Sequence, residues 1–142
     1  MAHGESTAPK TNRPIQIVPP RDLGPRDWGT ETLIAQGDGY IGKRLFMLAG
    51  KAGGLQYHER KEESFLLVEG EAVVDSDDGR GGLIKTHLSP GMVVHVPPGA
   101  PHRVTAVTDC TFYEWSNPVF NDRVRVEAAY GEPDSGGLPT TS

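Results

Sequence analysis

The 142-residue chain has little of several features that mark common functional classes. Its one cysteine, Cys110, cannot form an internal disulfide, and its apolar surroundings are typical of a buried small side chain rather than a nucleophile. A basic tract is missing and the net charge is −5, which argues against a nucleic-acid surface. No apolar run approaches the ~20 residues of a membrane helix, and the polar N-terminus lacks a signal-peptide core. We therefore expect a cytoplasmic protein that binds neither nucleic acid nor membrane.

Sustained helical periodicity is also missing, whereas glycine and proline are frequent, with 18 and 12 residues. From Trp28 onward, short apolar segments recur about every ten residues, and each ends at a turn sequence. Seven or eight such strands predict an all-β fold, either an antiparallel sandwich or a barrel. One weak helical segment is predicted over 122–130, ended by Gly131. Residues 15–18 are typical of an edge strand or of an arm that adds to a partner's sheet.

Polar segments without periodicity flank the predicted strands. Residues 1–12 are polar, and residues 132–142 are rich in Pro, Gly, Ser and Thr, so we expect both segments to be disordered. The length between them suits one domain of ordinary size, which we place at 13–131. The sequence shows neither an internal repeat nor a second domain.

Four candidate metal ligands fall in two separate stretches of the sequence. Gln56 and His58 share one face of a strand, and Glu63 faces the same interior if its strand pairs with theirs as a hairpin. His102 follows the stiff turn 97–101, in which three prolines fix φ. These nitrogen and oxygen donors suit one divalent ion such as Mn²⁺, Fe²⁺, Co²⁺, Ni²⁺ or Zn²⁺. Four protein ligands leave positions open for a small-molecule substrate.

The two stretches resemble the two motifs of single-domain cupins. The first cupin motif is Gly, five residues, His-x-His, three or four residues, Glu, six residues, Gly. Gln56 takes the place of its first histidine. The positions that match this motif are Gly50, His58, Glu63 and Gly70.

The second cupin motif is Gly, five residues, Pro-x-Gly, two residues, His, three residues, Asn. Here Ala106 replaces the final Asn. The positions that match this second motif are Gly91, Pro97, Gly99 and His102. Together the two motifs are specific, and the resemblance implies a cupin-type antiparallel β-barrel, also called a double-stranded β-helix or jelly roll.

The Gln-x-His variant is similar to the cupin domain of type II mannose-6-phosphate isomerases. Trp28-Gly29 and the closing run 121–131 also resemble that family, so the resemblance covers roughly 28–131. The chain departs from the family in lacking the large nucleotidyltransferase domain that many members carry. It also has Lys61, where the family often has an arginine shortly before the motif Glu. Cupins of this size are commonly dimers, so the resemblance implies a homodimer.

The resemblance implies a metal-dependent isomerase of a sugar or sugar phosphate that works through a metal-stabilised enediolate. Glu62 is the nearest spare carboxylate for proton transfer, although adjacent strand residues face opposite ways. Lys61 and Arg125 are candidate catalytic groups that can hold a phosphate or carboxylate, and Arg125 can instead hold the C-terminal segment against the barrel. Further basic candidates are Lys43, Arg44, Arg60 and Arg103. An iron-dependent oxygenase or lyase and a non-catalytic sugar- or metabolite-binding cupin remain as alternatives.

Overall fold

The computed structural model describes residues 13–133, so residues 1–12 and most of 132–142, both predicted to be disordered, lie outside the described residues. Within 13–133 the chain forms eleven β-strands and one short 3-10 helix, Glu127–Tyr130. The strands in chain order are β1 Arg21–Arg26, β2 Gly29–Gln36, β3 Ile41–Met47, β4 Gln56–His58, β5 Glu63–Glu69, β6 Ala72–Asp77, β7 Leu83–Leu88, β8 Val93–Val96, β9 His102–Ala106, β10 Cys110–Ser116 and β11 Arg123–Arg125. No helix in this range is long and apolar enough to cross a membrane.

The described strands form two antiparallel sheets. The larger sheet has the order β1-β2-β3-β10-β5-β8, and the smaller sheet has the order β11-β4-β9-β6-β7. Neighbours such as β3 and β10 are distant in sequence, which is typical of a jelly roll rather than a simple meander. The predicted all-β fold is therefore confirmed as a cupin-type jelly roll.

The core lies between the two sheets, and on β5 and β10 buried residues alternate with more exposed ones. On β5, Phe65 and Leu67 are buried while Val68 is exposed, and on β10 Phe112 is buried while Trp115 is 47% exposed. The rings of Phe65 and Phe112 pack edge to face with centroids 5.7 Å apart. Burial of each such large apolar side chain contributes roughly 1.5–3 kcal/mol. Both rings belong to the larger sheet and line the pocket described below.

Gly70 shows why a motif glycine is required at the turn between β5 and β6. Its φ is 95°, in the left-handed region that favours glycine. A Cβ at this position would also collide with the carbonyl oxygen of Asp109. The turn therefore depends on both the backbone freedom and the small size of Gly70.

Three local predictions are corrected by the structure. The segment 122–130 is not one helix, because Arg123–Arg125 adds to the edge of the smaller sheet and only Glu127–Tyr130 is helical. Residues 15–18 do not form an edge strand, and Ile17 is 97% exposed. The sequence analysis also missed β1, since Gly24 and Pro25 interrupt its apolar pattern and shift its register against β2.

Candidate metal centre and pocket

Three of the four predicted ligands converge at one point between the sheets. Nε2 of His102 lies 3.2 Å and Nε2 of His58 lies 3.4 Å from Oε1 of Glu63. The three side chains are buried, and their ligand atoms lie within 4.8 Å of one another. Gln56 pairs with His102 across β4 and β9 and lines the same pocket. The structure thus brings all four predicted residues to one cavity.

The two sheets contribute ligands from opposite sides of the cavity. Gln56 and His58 lie on β4 of the smaller sheet, whereas Glu63 begins β5 of the larger sheet. The predicted hairpin between these strands is therefore wrong, because residues 59–62 cross from one sheet to the other. The strand of His102, β9, pairs with β4 through Gln56 and His102.

Both imidazoles are held by their Nδ1 atoms, which leaves Nε2 aimed at Glu63. Nδ1 of His58 lies 3.1 Å from Oδ1 of Asp122, and Nδ1 of His102 lies 3.0 Å from the carbonyl oxygen of Ala100. Oδ2 of Asp122 accepts backbone N–H groups of Arg60 and Lys61, at 2.6 and 2.9 Å. Burial tends to raise the pKa of Asp122, but these hydrogen bonds and the nearby His58 lower it. The carboxylate is thus fixed in its ionised form behind the imidazole.

A buried lysine lies between two buried carboxylates beside the imidazoles. Nζ of Lys61 donates to Oε2 of Glu114 at 3.2 Å and lies 3.3 Å from Oε2 of Glu63. Burial tends to lower the pKa of Lys61, yet the charges of Glu114 and Glu63 raise it above its ordinary value. Burial, followed by repulsion from Glu63, raises the pKa of Glu114 to about 7. Burial also tends to raise the pKa of Glu63, but hydrogen bonds from His102 and His58 hold it well below its usual range.

The donor set fits a divalent first-row ion. Oε2 of Glu63 is buried and has no hydrogen-bond partner among the described residues, because the nearby ammonium of Lys61 does not have hydrogen-bond geometry. A buried carboxylate oxygen that accepts no hydrogen bond is costly, and a second cation beside it, in addition to the ammonium of Lys61, would offset that cost. Two imidazole nitrogens and one carboxylate match the ligand preferences of Mn²⁺, Fe²⁺, Co²⁺, Ni²⁺ and Zn²⁺. The divalent ions expected from the sequence are thus compatible with the donor atoms that His58, Glu63 and His102 bring together.

The cavity that contains this group has a volume of about 140 Å³. This is below the roughly 300–1,000 Å³ of pockets for drug-sized ligands, so it suits a small substrate. Its apolar lining includes Trp28, Phe65 and Phe112. Its charged lining consists of Arg26, Glu31, Lys43, Lys61, Glu63, Arg103, Glu114 and Arg123.

The other predicted site residues have different positions. Lys61 lies in the cavity, but Glu62 lies on the outside, where its carboxylate is 2.7 Å from Nε2 of His95 and 56% exposed. Nη2 of Arg125 pairs with Oε2 of Glu127 at 2.5 Å. The same oxygen of Glu127 accepts the backbone N–H of Leu55 at 3.1 Å. Glu127, which pairs with Arg125, therefore links the C-terminal segment to the loop before β4.

Sequence reasoning missed three residues that the structure brings to this region. Glu114 follows Phe112 by two positions on β10, so strand alternation alone could have identified it as inward-facing. Arg123 precedes Arg125 by two positions and could have been found by the same alternation if 122–130 had been assigned as a strand. Asp122 belongs to the closing run, but its contact with His58 spans 64 positions and has no local sequence pattern.

Comparisons with known proteins agree with this architecture. The family model described as "Cupin domain" matches residues 44–115, about half of the chain. A mannose-1-phosphate guanylyltransferase of Sinorhizobium fredii is 33% identical over 79 residues, which are 56% of this chain and 14% of that protein. The chain therefore spans only a small part of this curated relative.

Solved structures show the same fold at low sequence identity. The capsular polysaccharide assembling protein CapF of Staphylococcus aureus has a TM-score of 0.67 and 24% identity, over 77% of this chain and 32% of that one. KdgF of a Halomonas species has a TM-score of 0.58 and 21% identity, over 66% and 89% of the two chains. Oxalate decarboxylase of Bacillus subtilis has a TM-score of 0.64 and 15% identity, over 80% and 35%. With the two motifs, the jelly roll and the match over 44–115 in agreement, this chain belongs to the cupin family.

Proposed function

We propose that this cupin is a metal-dependent isomerase that interconverts the aldose and ketose forms of a small sugar or sugar phosphate. The observation that carries the proposal is the presence of Glu114 and Lys61 in the same small cavity as His58, Glu63 and His102. Isomerisation needs a group that accepts and returns a proton next to a site for two substrate oxygens. The names of two similar proteins, a mannose-1-phosphate guanylyltransferase and a capsular polysaccharide assembling protein, support a carbohydrate substrate.

In this proposal His58, Glu63, His102 and Gln56 hold the ion. When bound, a divalent ion supplies Lewis acidity toward the carbonyl and hydroxyl oxygens of the substrate. The contacts of Asp122 and of the Ala100 carbonyl keep the imidazoles oriented before substrate arrives. The apolar side chains around the cavity exclude water and strengthen the charge interactions inside it.

Glu114 takes the role of proton carrier that the sequence analysis gave to Glu62. Its carboxylate accepts the proton from the carbon next to the carbonyl and returns it to the former carbonyl carbon, while the hydroxyl proton moves between the two oxygens. Lys61, 3.2 Å from Glu114, keeps that carboxylate oriented and stabilises negative charge in the cavity. Arg125 is proposed to hold the C-terminal segment through Glu127 rather than to contact substrate.

The test is turnover of aldoses and ketoses of three to six carbons, with and without a phosphate group. The purified protein is loaded separately with Mn²⁺, Fe²⁺, Co²⁺, Ni²⁺ or Zn²⁺, with and without oxygen. We expect isomerisation that does not consume oxygen. Oxygen uptake with Fe²⁺ would overturn the proposal in favour of an oxygenase, and tight sugar binding without turnover would favour a binding protein.

A matched pair of variants tests the role of the two carboxylates. We expect Glu114→Gln to lower kcat about 10²-fold to 10⁴-fold, as loss of a general acid–base group does, while metal binding persists. Glu62→Gln is the control, because the carboxylate of Glu62 lies outside the cavity beside His95. Equal losses in both variants, or none in Glu114→Gln, would contradict the assignment.

A further inference from the structure

A second charged group lines the cavity, on elements other than those of the metal ligands. Oε2 of Glu31 accepts hydrogen bonds from Nε and Nη2 of Arg26, at 3.0 and 2.6 Å. Oε1 of Glu31 accepts a hydrogen bond from Nζ of Lys43 at 2.9 Å. Both Glu31 and Lys43 are buried. Two cationic side chains therefore share the carboxylate of Glu31, whose oxygens are both occupied.

Arg123 adds a third cation to this wall of the cavity. Its Nη1 is buried and has no hydrogen-bond partner within the described part of the chain. Arg123 pairs with His58 across β11 and β4, so the two side chains leave the sheet on the same face. Burial, and then repulsion from Arg26, lowers the pKa of Arg123 despite the attraction of Glu31. This guanidinium is thus partly desolvated beside the metal site, and its buried Nη1 is left without a hydrogen bond.

The charges of the cavity form two adjoining groups, which meet where Lys43 pairs with Glu114 across β3 and β10. In the described residues, Arg26, Lys43 and Arg123 surround the single carboxylate of Glu31, which gives this cluster a formal charge of +2. In the adjoining group, the carboxylates of Glu63 and Glu114 outnumber Lys61, which gives a negative group that suits a cation. The buried Nη1 of Arg123 lacks a hydrogen bond, which is costly, and an anion would complete the first cluster.

We propose that Arg123, supported by Lys43 and Arg26, binds the carboxylate or phosphate group of the substrate while the substrate's hydroxyl oxygens face the metal centre. The inference deepens the proposed function and rests on it, because it names the substrate class of the same cavity: a small hydroxylated compound that carries an anionic group. The fork of N–H donors on a guanidinium matches a carboxylate or phosphate in geometry. Nε and Nη2 of Arg26 already donate to Glu31. Arg123 therefore supplies the pair of N–H donors that binds the anion, and Arg26 and Lys43 supply positive charge.

The test measures anion binding by the full chain, separately from metal binding. Inorganic phosphate and acetate are titrated calorimetrically into metal-free protein, so that neither anion can bind through an ion. We expect Arg123→Gln to weaken binding about 10-fold to 100-fold, the value of a charged hydrogen bond, and Arg123→Lys to weaken it less. Arg44→Gln is the matched control, because Arg44 neighbours Lys43 on β3 but is exposed.

Thermal unfolding gives a second readout that a structural arginine would not give. Removal of a half-buried guanidinium whose buried Nη1 has no hydrogen bond leaves the ligand-free protein at least as stable, so Arg123→Gln keeps or raises Tm. Phosphate or acetate raises the Tm of the parent protein but not that of Arg123→Gln. A lower Tm of the variant without anion, or equal anion binding by both proteins, would overturn the inference.

The outcomes also separate this inference from the proposed function. Binding of phosphate alone identifies a phosphate ester as substrate, binding of acetate alone identifies a carboxylate, and each supports the subsite. Anion binding that depends on Arg123, without turnover of any sugar, leaves the subsite intact and defeats the isomerase. Isomerisation that Arg123→Gln leaves unchanged, for neutral and anionic sugars alike, supports the isomerase and overturns the subsite.

Discussion

Oδ1 of Asp122 lies 3.1 Å from Nδ1 of His58, across 64 positions of sequence. Asp122 contacts the ring nitrogen of His58 that is remote from Glu63, so the other nitrogen, Nε2, points into the cavity toward Glu63. It also joins the metal centre to the segment that leads into β11, because Asp122 directly precedes Arg123–Arg125. One residue therefore couples the orientation of a ligand to the docking of the C-terminal segment.

We predict that Asp122→Asn weakens divalent-metal binding about 10-fold to 100-fold, since the imidazole loses a charged partner that fixes its orientation and raises its basicity. Calorimetric titration with Zn²⁺ measures the change. Asp38→Asn is the control, because Asp38 lies in an exposed turn between β2 and β3. If folded Asp122→Asn bound Zn²⁺ as tightly as the parent protein, the role of Asp122 would be limited to accepting the backbone N–H groups of Arg60 and Lys61.

The double substitution His58→Ala and His102→Ala is predicted to abolish metal uptake while the fold survives. It removes both nitrogen ligands but leaves the apolar cluster around Phe65 and Phe112 intact. Elemental analysis measures the metal content, and circular dichroism measures the fold. The matching control replaces His87 and His95, whose side chains are 59% and 58% exposed. Retained metal in the first variant would contradict the ligand assignment.

Much of the fold follows from local patterns that the sequence makes visible. The bounds of β7, Leu83–Leu88, follow from its sequence, because its apolar and β-branched residues lie between turn sequences. The same reasoning fails for β1, whose Gly24 and Pro25 have low strand propensity and which is stabilised by pairing with β2. It fails for β11 because a three-residue strand depends on the free edge of β4 rather than on its own pattern.

The candidate site is predictable to the extent that it depends on alternation within a strand. The joint positions of Gln56, His58, Glu63 and His102 identify the shared cavity even though the hairpin expected between β4 and β5 does not form. Alternation gives the face of a side chain but not its distance from another sheet. Glu114 on β10 and Arg123 on β11 belong to different sheets, so their shared cavity arises from the packing of one sheet against the other, which no local spacing encodes.

Stability in acid is predicted to depend on Glu127. Burial tends to raise its pKa, but hydrogen bonds from Arg125 and from backbone N–H groups lower it below the ordinary value. A carboxyl whose folded pKa is depressed stabilises the protein above its unfolded pKa of about 4.3, and this stabilisation is lost as pH falls through the folded pKa. The difference in unfolding free energy between the parent and Glu127→Gln is therefore largest near neutral pH and shrinks below about pH 4.

Urea unfolding at a series of pH values measures this difference. Glu69→Gln is the control, because Glu69 is exposed at the end of β5. A difference between the parent and Glu127→Gln that stays constant from pH 7 to pH 3 would show that the side chain of Glu127 contributes by packing rather than by charge.

The buried charges of Lys61, Glu63 and Glu114 should behave as one unit in mutational tests. Lys61→Met leaves two buried carboxylates without their cation, and we predict a loss of about 3–5 kcal/mol in the unfolding free energy of metal-free protein. Adding Glu114→Gln removes one of these carboxylates, so the double variant should recover part of that loss. Because the ammonium of Lys61 also repels a cation in the cavity, Zn²⁺ should stabilise Lys61→Met more than the parent protein.

Urea unfolding with and without Zn²⁺ measures both effects, with exposed Lys51→Met as the control. Strictly additive effects of the two substitutions would contradict the coupling, and they would remove the argument that Lys61 holds Glu114 in position.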